Sequence, residues 1–306
     1  MLAKSKIRHL ATAAHYLADC RLGGHKQSLV ESSGADWPSS LEDAYSQQAL
    51  LHEIMWERGH TVIGSKIGCT TAVMQQYLDM PHPCSGGLYD SRLWRQQGVE
   101  PVTVPAGHPL RLGFECEIAV VLGAAIEPGE NDLGTLARAI GSVHAAVELV
   151  DDRYEDFASR RPGPPAWVAD DFFSCGSILG PALQVDPRQL KALHGAMWVD
   201  GVCVGHGAGA DIIAGDPLEA LRWLAGSEAA VAMGGLPKGW VVSLGSVCKT
   251  HWLDARAQGD AGGGASSRSI VDVRVAFAEE QDARAPQSES AEQGMLTARL
   301  DFGLAS

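Results

Sequence analysis

The stretch Phe114-Glu115-Cys116-Glu117-Ile118-Ala119-Val120-Val121-Leu122 constrains this chain more than any other. Its apolar, β-branched character reads as a strand, in which alternate side chains share a face. Glu115, Glu117, Ala119 and Val121 then project one way, and Phe114, Cys116, Ile118, Val120 and Leu122 the other. Both faces are largely apolar. Two carboxylates about 7 Å apart along such a strand repel each other and lose hydration if the face is covered. They need a compensating cation or shifted pKa values. Taken alone, the pair reads more readily as a strand start whose glutamates face water.

A third acid adds weight. In Val143-His144-Ala145-Ala146-Val147-Glu148-Leu149-Val150, Glu148 is the one carboxylate of a second apolar run. A lone acid there is costly unless it is paired, either with a shared cation or with a buried arginine such as Arg153. Asp151 and Asp152 read as ordinary acids at a strand end. Lys66 interrupts a third strand-like run, Thr61 to Gly68, and its flanking glycines allow close approach of a ligand or another backbone. An ammonium at that point either binds a carboxylate, moves a proton, or snorkels to the surface. Oxygen donors of this kind suit Mg²⁺ or Mn²⁺ better than zinc.

The rest of the chain is consistent with a folded body. Its 306 residues are 45% apolar and 20% charged, enough to bury a core. Net charge is −13, without a Lys/Arg run, which disfavours nucleic acid as a partner. No apolar stretch approaches a bilayer span and no signal peptide is visible, so a cytoplasmic address is expected. The seven cysteines lack a C-x-x-C pair and are expected to be reduced thiols. Gly205-His206-Gly207-Ala208-Gly209 lacks the spacing of a nucleotide loop, and neither G-x-S-x-G nor a Walker sequence occurs.

Helical spacing marks residues 5 to 22, ending at Gly23-Gly24, and a second helix to Arg58, where Ser40 with Asp43 forms a capping signal and Gly59 a stop. Further helical spacing appears over 132 to 140 and 216 to 233. Strand-like runs recur at 114 to 122, 143 to 150, 196 to 204, 240 to 248 and 270 to 277. The mixture predicts an α+β fold rather than regular βαβ alternation. Residues 1–75 are expected to form a helical cap leading into a first strand, residues 76–278 a β-rich catalytic domain, and residues 279–306 a polar tail without function. Residues 258–268 are expected to be a flexible connector.

Several ordered blocks resemble the fumarylacetoacetate hydrolase superfamily, in particular its 2-keto-4-pentenoate hydratase and 4-oxalocrotonate decarboxylase branch. They are Leu41-Glu42-Asp43-Ala44-Tyr45, Gly64-Ser65-Lys66-Ile67-Gly68-Cys69-Thr70, Glu115-Cys116-Glu117-Ile118-Ala119, Glu148-Leu149-Val150-Asp151-Asp152-Arg153 and Gly215-Asp216-Pro217-Leu218. The resemblance implies a β-rich mixed roll or barrel-like core with a small helical N-terminal region, and a homo-oligomer. It also implies Mg²⁺ or Mn²⁺ held by Glu115, Glu117 and Glu148, with Lys66 as a catalytic group. The implied activity is hydration of a 2-hydroxy-2,4-dienoate, a small 2-oxo acid of aromatic-compound catabolism. Decarboxylation of a 2-oxo-diacid, C–C hydrolysis of an acylpyruvate, and oxo-acid binding without catalysis are the alternatives.

Two departures stand out. Where the family often has an acid in a Pro-Asp-aromatic-Gly loop, this chain reads Pro83-Cys84-Ser85-Gly86-Gly87. Where it has Ala-Asp-Asn-Ala-Ser, this chain reads Ala169-Asp170-Asp171-Phe172-Phe173-Ser174, which leaves Ser174 as the expected substrate-binding hydroxyl. A hydrolase would need an activating base; His52, His60 and His82 lie nearest the cap, with no acid partner evident from the sequence.

Overall fold

A computed structural model describes residues 2–24, 37–105, 109–154, 162–253, 270–278 and 295–301. Two helices open the chain, α1 (Leu2–Gly23) and α2 (Leu41–Glu57). The Ser40 side chain caps α2 by accepting from Asp43 N at 3.2 Å. Gly59, at φ +88°, ends it as His60 N turns back to the Met55 carbonyl at 2.9 Å. Their packed faces form a cap core with Leu17, Leu51, Met55, Trp167 and Phe173.

The body follows as β1 (Val62–Gly68), α3 (Ala72–Leu78), β2 (Cys84–Tyr89), β3 (Leu93–Arg95), β4 (Val102–Pro105), β5 (Leu112–Leu122), α4 (Leu133–Ala139), β6 (Ile140–Asp151), α5 (Pro164–Ala169), β7 (Ser174–Leu183), β8 (His194–Val199), β9 (Val202–Ala208), α6 (Pro217–Ala225), α7 (Glu228–Ala232), β10 (Val241–Ser246), β11 (His251–Trp252), β12 (Ile270–Ala278) and β13 (Met295–Asp301). One sheet runs β2-β1-β10-β5-β6-β7-β3, with β11 added to β5; a second runs β4-β13-β12-β8-β9. The main core lies between them, with Phe114, Cys116, Ile118 and Val147 facing Val273, Val275 and Leu296. The opposite face of the large sheet curls inward around Leu88, Ala119, Ala146, Leu179 and Val241. The fold is thus α+β with a half-barrel of mixed strands and a helical cap. No helix among the described residues is long and apolar enough to cross a membrane.

The expectation of a functionless tail over 279–306 fails at its end. Residues Met295–Asp301 form β13, paired with β12 on one side and β4 on the other. Leu296, Ala298 and Leu300 alternate onto the core face and are fully buried. That short alternation was hidden by the polar run before it. The expected connector at 258–268 lies outside the described residues. A second strand passed over in the sequence is β2, whose Ser85-Gly86-Gly87 centre has low strand propensity and is held instead by pairing with β1.

Candidate metal centre

Register brings the three acids together. Glu115 on β5 lies directly opposite Glu148 on β6, and Glu117 follows two residues on along the same face. The ligand oxygens of all three lie within 4.8 Å of one another. Glu117 and Glu148 are buried and Glu115 is half-buried, so the cluster is reached from the Glu115 side.

Lys66 joins them from three strands away. In a flat sheet, the order β1-β10-β5-β6 would separate Lys66 from Glu148 by about 14 Å. Curling closes that gap, and Lys66 Nζ comes to 2.6 Å from Glu148 Oε1 with both side chains almost wholly shielded. The contact is ionic rather than a well-aligned hydrogen bond. Arg153, the partner considered from sequence, instead binds Asp170 at 2.8 Å.

Each carboxylate has its own support. The Thr250 hydroxyl donates to Glu115 Oε1. The Ser243 hydroxyl and Gly245 N–H donate to Glu117 Oε2 at 3.0 and 2.8 Å. One extra residue in β10 between Ser243 and Ser246 makes the second of these possible, with Gly245 at φ +123° and no room for a Cβ against Thr70. Ser177 stands opposite Glu148 on β7, its buried hydroxyl unpartnered.

The electrostatics suit a divalent cation. Burial raises the Glu117 carboxyl well above its usual range, and the charges of Glu148 and Glu115 push it further than Gly245 and Ser243 can pull it back. Glu148 rises to about 7, from burial and the Glu115 charge against the opposing pull of Lys66. Burial works against the Lys66 ammonium, but Glu148 and Glu115 outweigh it and raise its pKa. Three acids against one ammonium leave negative charge uncompensated in a dry site, and the oxygens are spaced as one divalent ion with bonds of about 2.1–2.5 Å would require. The residues therefore fit such an ion.

Cys84, where an acid was expected, is buried close to Lys66, and burial pushes its thiol well above the ordinary value. It remains a neutral thiol at neutral pH. Ser174 begins β7, and its hydroxyl donates to the Gly87 carbonyl at 3.1 Å, tying β7 to β2. A cavity of about 90 Å³ beside it, lined by Arg21, Tyr89, Arg92 and Arg153, includes none of the three glutamates and not Lys66.

An acid partner for His52 does exist, although the sequence did not reveal it. His52 Nε2 lies 2.6 Å from Asp171 Oδ1, and Asp171 also accepts from Gly87 N and the Tyr89 hydroxyl at 2.7 and 2.9 Å. The pair lies over the Gly87 face of β2, whereas Gly86, which pairs with Lys66, faces the other way. The His52 ring and the Asp171 carboxylate thus lie on the outer side of β2, while the Asp171 backbone rests against Gly86 on the face that carries Lys66. His60 bonds Ser91, and His82 bonds the Pro83 carbonyl.

Asp171, Phe172 and Phe173 are three successive non-glycine residues in the left-handed region, at φ +53°, +47° and +64°. Such conformers cost about 1–3 kcal/mol each and persist only where the surroundings enforce them. Enforcement comes from buried ion pairs: Arg21 binds Asp170 at 3.0 Å and Asp171 at 3.2 Å, beside the Arg153–Asp170 and His52–Asp171 contacts.

No family model matches the chain. It is 32% identical over 218 residues to 2-keto-4-pentenoate hydratase of Burkholderia vietnamiensis (strain G4 / LMG 22486), covering 71% of this chain and 79% of the relative. It is 31% identical over 203 residues to 2-hydroxypent-2,4-dienoate hydratase of Pseudomonas putida, covering 65% of this chain and 87% of the relative. The chain belongs to the 2-keto-4-pentenoate hydratase family. The match spans 66% of another hydratase of this family, from Paraburkholderia xenovorans, just under two thirds of its length. Among solved structures, 4-oxalocrotonate decarboxylase from Pseudomonas putida G7, complexed with magnesium and adipate, superposes with TM-score 0.75 at 23% identity over 96% of this chain and 97% of that one. Fumarylpyruvate hydrolase from Pseudomonas aeruginosa, in complex with Mn²⁺ and pyruvate, superposes with TM-score 0.53 at 11% identity over 78% and 89%. The family fold is therefore that of the fumarylacetoacetate hydrolases.

Proposed function

We propose that this chain is a divalent-metal-dependent hydro-lyase that adds water to 2-hydroxy-2,4-dienoates, with Mg²⁺ or Mn²⁺ held by Glu115, Glu117 and Glu148. The observation that carries the reading is the convergence of those carboxylates around a point that Lys66 also borders. When bound, the ion supplies Lewis-acid polarisation of a 2-oxo acid's oxygens. The protein's own groups do the rest. Lys66, kept protonated by Glu148, is placed to bind the substrate carboxylate or deliver a proton to its carbon chain. Ser243, Gly245 and Thr250 hold two of the carboxylates in a fixed orientation. Ser174, the expected substrate-binding hydroxyl, ties β7 to β2 and lines a cavity that includes neither Lys66 nor the three glutamates, so no substrate contact is assigned to it.

Decarboxylation of a 2-oxo-diacid is the second reading, because the same centre would serve it. Acylpyruvate hydrolysis has less support, since the His52–Asp171 pair, found near the cap among the described residues, makes its contact on the outer face of β2. The proposal includes a cytoplasmic homo-oligomer acting on a small molecule, not on nucleic acid or membrane.

The test is to supply purified protein and Mg²⁺ with a 2-hydroxy-2,4-dienoate, and separately with a 2-oxo-diacid, following loss of dienol absorbance and release of CO₂. Chelator-sensitive loss of dienol without CO₂ is the expected result. Turnover that persists after complete chelation would overturn the reading.

A further inference from the structure

The strained turn over Asp171–Phe173 aims one ring at Lys66. The Phe172 ring centre lies 5.1 Å from Lys66 Nζ, within cation–π range. Glu148 approaches the same ammonium at 2.6 Å, so carboxylate and ring both bear on it.

Two glycines make the approach possible. A Cβ at Gly68 would lie 2.4 Å from Phe172 Cδ1, and a Cβ at Gly86 would lie 2.4 Å from the Asp171 carbonyl oxygen. Both residues occupy the face of β1 and β2 that carries Lys66. The turn therefore rests on bare backbone at the barrel interior, while the Asp171 carboxylate reaches round the β2 edge to Gly87 N, His52 and Arg21. An aromatic ring that only filled space under the cap would not need left-handed backbone, a dedicated ion-pair clamp and two cleared positions. Phe172 receives all three.

We propose that Phe172 is a positioning residue for Lys66, its ring face holding the ammonium against Glu148, with Asp171, His52 and Arg21 as the clamp that keeps the ring in place. The inference rests on the proposed role of Lys66. It assigns a task to a segment in which this chain departs from the family pattern.

The experiment uses the full chain carrying Phe172→Leu or Phe172→Tyr, with Lys66→Arg to assign resonances. A lysine ε-CH₂ signal shifted upfield by the ring should be present in the parent protein, absent in F172L and restored in F172Y. In parallel, kcat for dienoate hydration should fall about tenfold in F172L and recover in F172Y, while Mn²⁺ affinity, read by electron paramagnetic resonance, stays within about twofold. A parent protein without a shifted Lys66 signal, or an F172L variant with unchanged kcat, would overturn the inference. So would a loss of kcat that Tyr fails to restore. A parent protein that hydrates no dienoate sinks the functional reading instead, and the resonance comparison then decides the positioning role alone.

Discussion

Lys66 Nζ and Glu148 Oε1 are 2.6 Å apart in a region closed to water, although their strands are third neighbours in the sheet. Removing one member of such a pair leaves a buried charge without its partner, which costs about 3–5 kcal/mol. Lys66→Met should therefore destabilise the metal-free protein by about that amount in a denaturant titration. Added Mn²⁺ should recover part of the loss, because the ion takes over compensation of Glu148. Equal losses with and without metal would count against a shared centre.

Binding of an ion to the folded state alone stabilises it by about 2.7 kcal/mol at a hundredfold excess over Kd. Thermal melts should rise with Mg²⁺ or Mn²⁺ and fall back on chelation. Glu115→Gln, Glu117→Gln and Glu148→Gln should each abolish the rise.

Thr250 supports the half-buried Glu115 from a loop stitched to β5 through Val247 N to the Cys116 carbonyl and Leu253 N to the Leu112 carbonyl. Loss of an outer partner to a metal-binding carboxylate costs about 10- to 100-fold in affinity. Calorimetry should show that drop for Thr250→Val and near-parental affinity for Thr250→Ser.

Asp171 should govern acid sensitivity. Burial alone would raise its carboxyl, but His52, Arg21 and Gly87 N–H prevail and hold it well below the usual range. A depressed folded-state pKa contributes stability that is present above the unfolded value, about 3.9, and disappears as pH falls below it. The stability gap between the parent and Asp171→Asn should be largest near neutrality and shrink progressively in denaturant titrations below about pH 4.

At the end of the described chain, Leu296 is fully buried between the two sheets. Leu296→Ala should cost about 2–5 kcal/mol in chemical denaturation. A change near zero would mean that β13 is dispensable.

The sequence by itself determined what is local. Alternation put Glu115 and Glu117 on one face of an apolar strand, flagged Glu148 and Lys66 as charges needing partners, and located the caps of α2. The ordered blocks were specific enough to identify the family. Only the tertiary structure decided who meets whom. The Glu115–Glu148 register, the curl that carries Lys66 to Glu148, the bulge that delivers Gly245 N–H, and the meeting of His52 with Asp171 across 119 residues are all non-local pairings. They depend on strand register and sheet curvature, which no short window of residues specifies, and so does the burial of β13, whose seven residues become a strand only when β12 and β4 flank them.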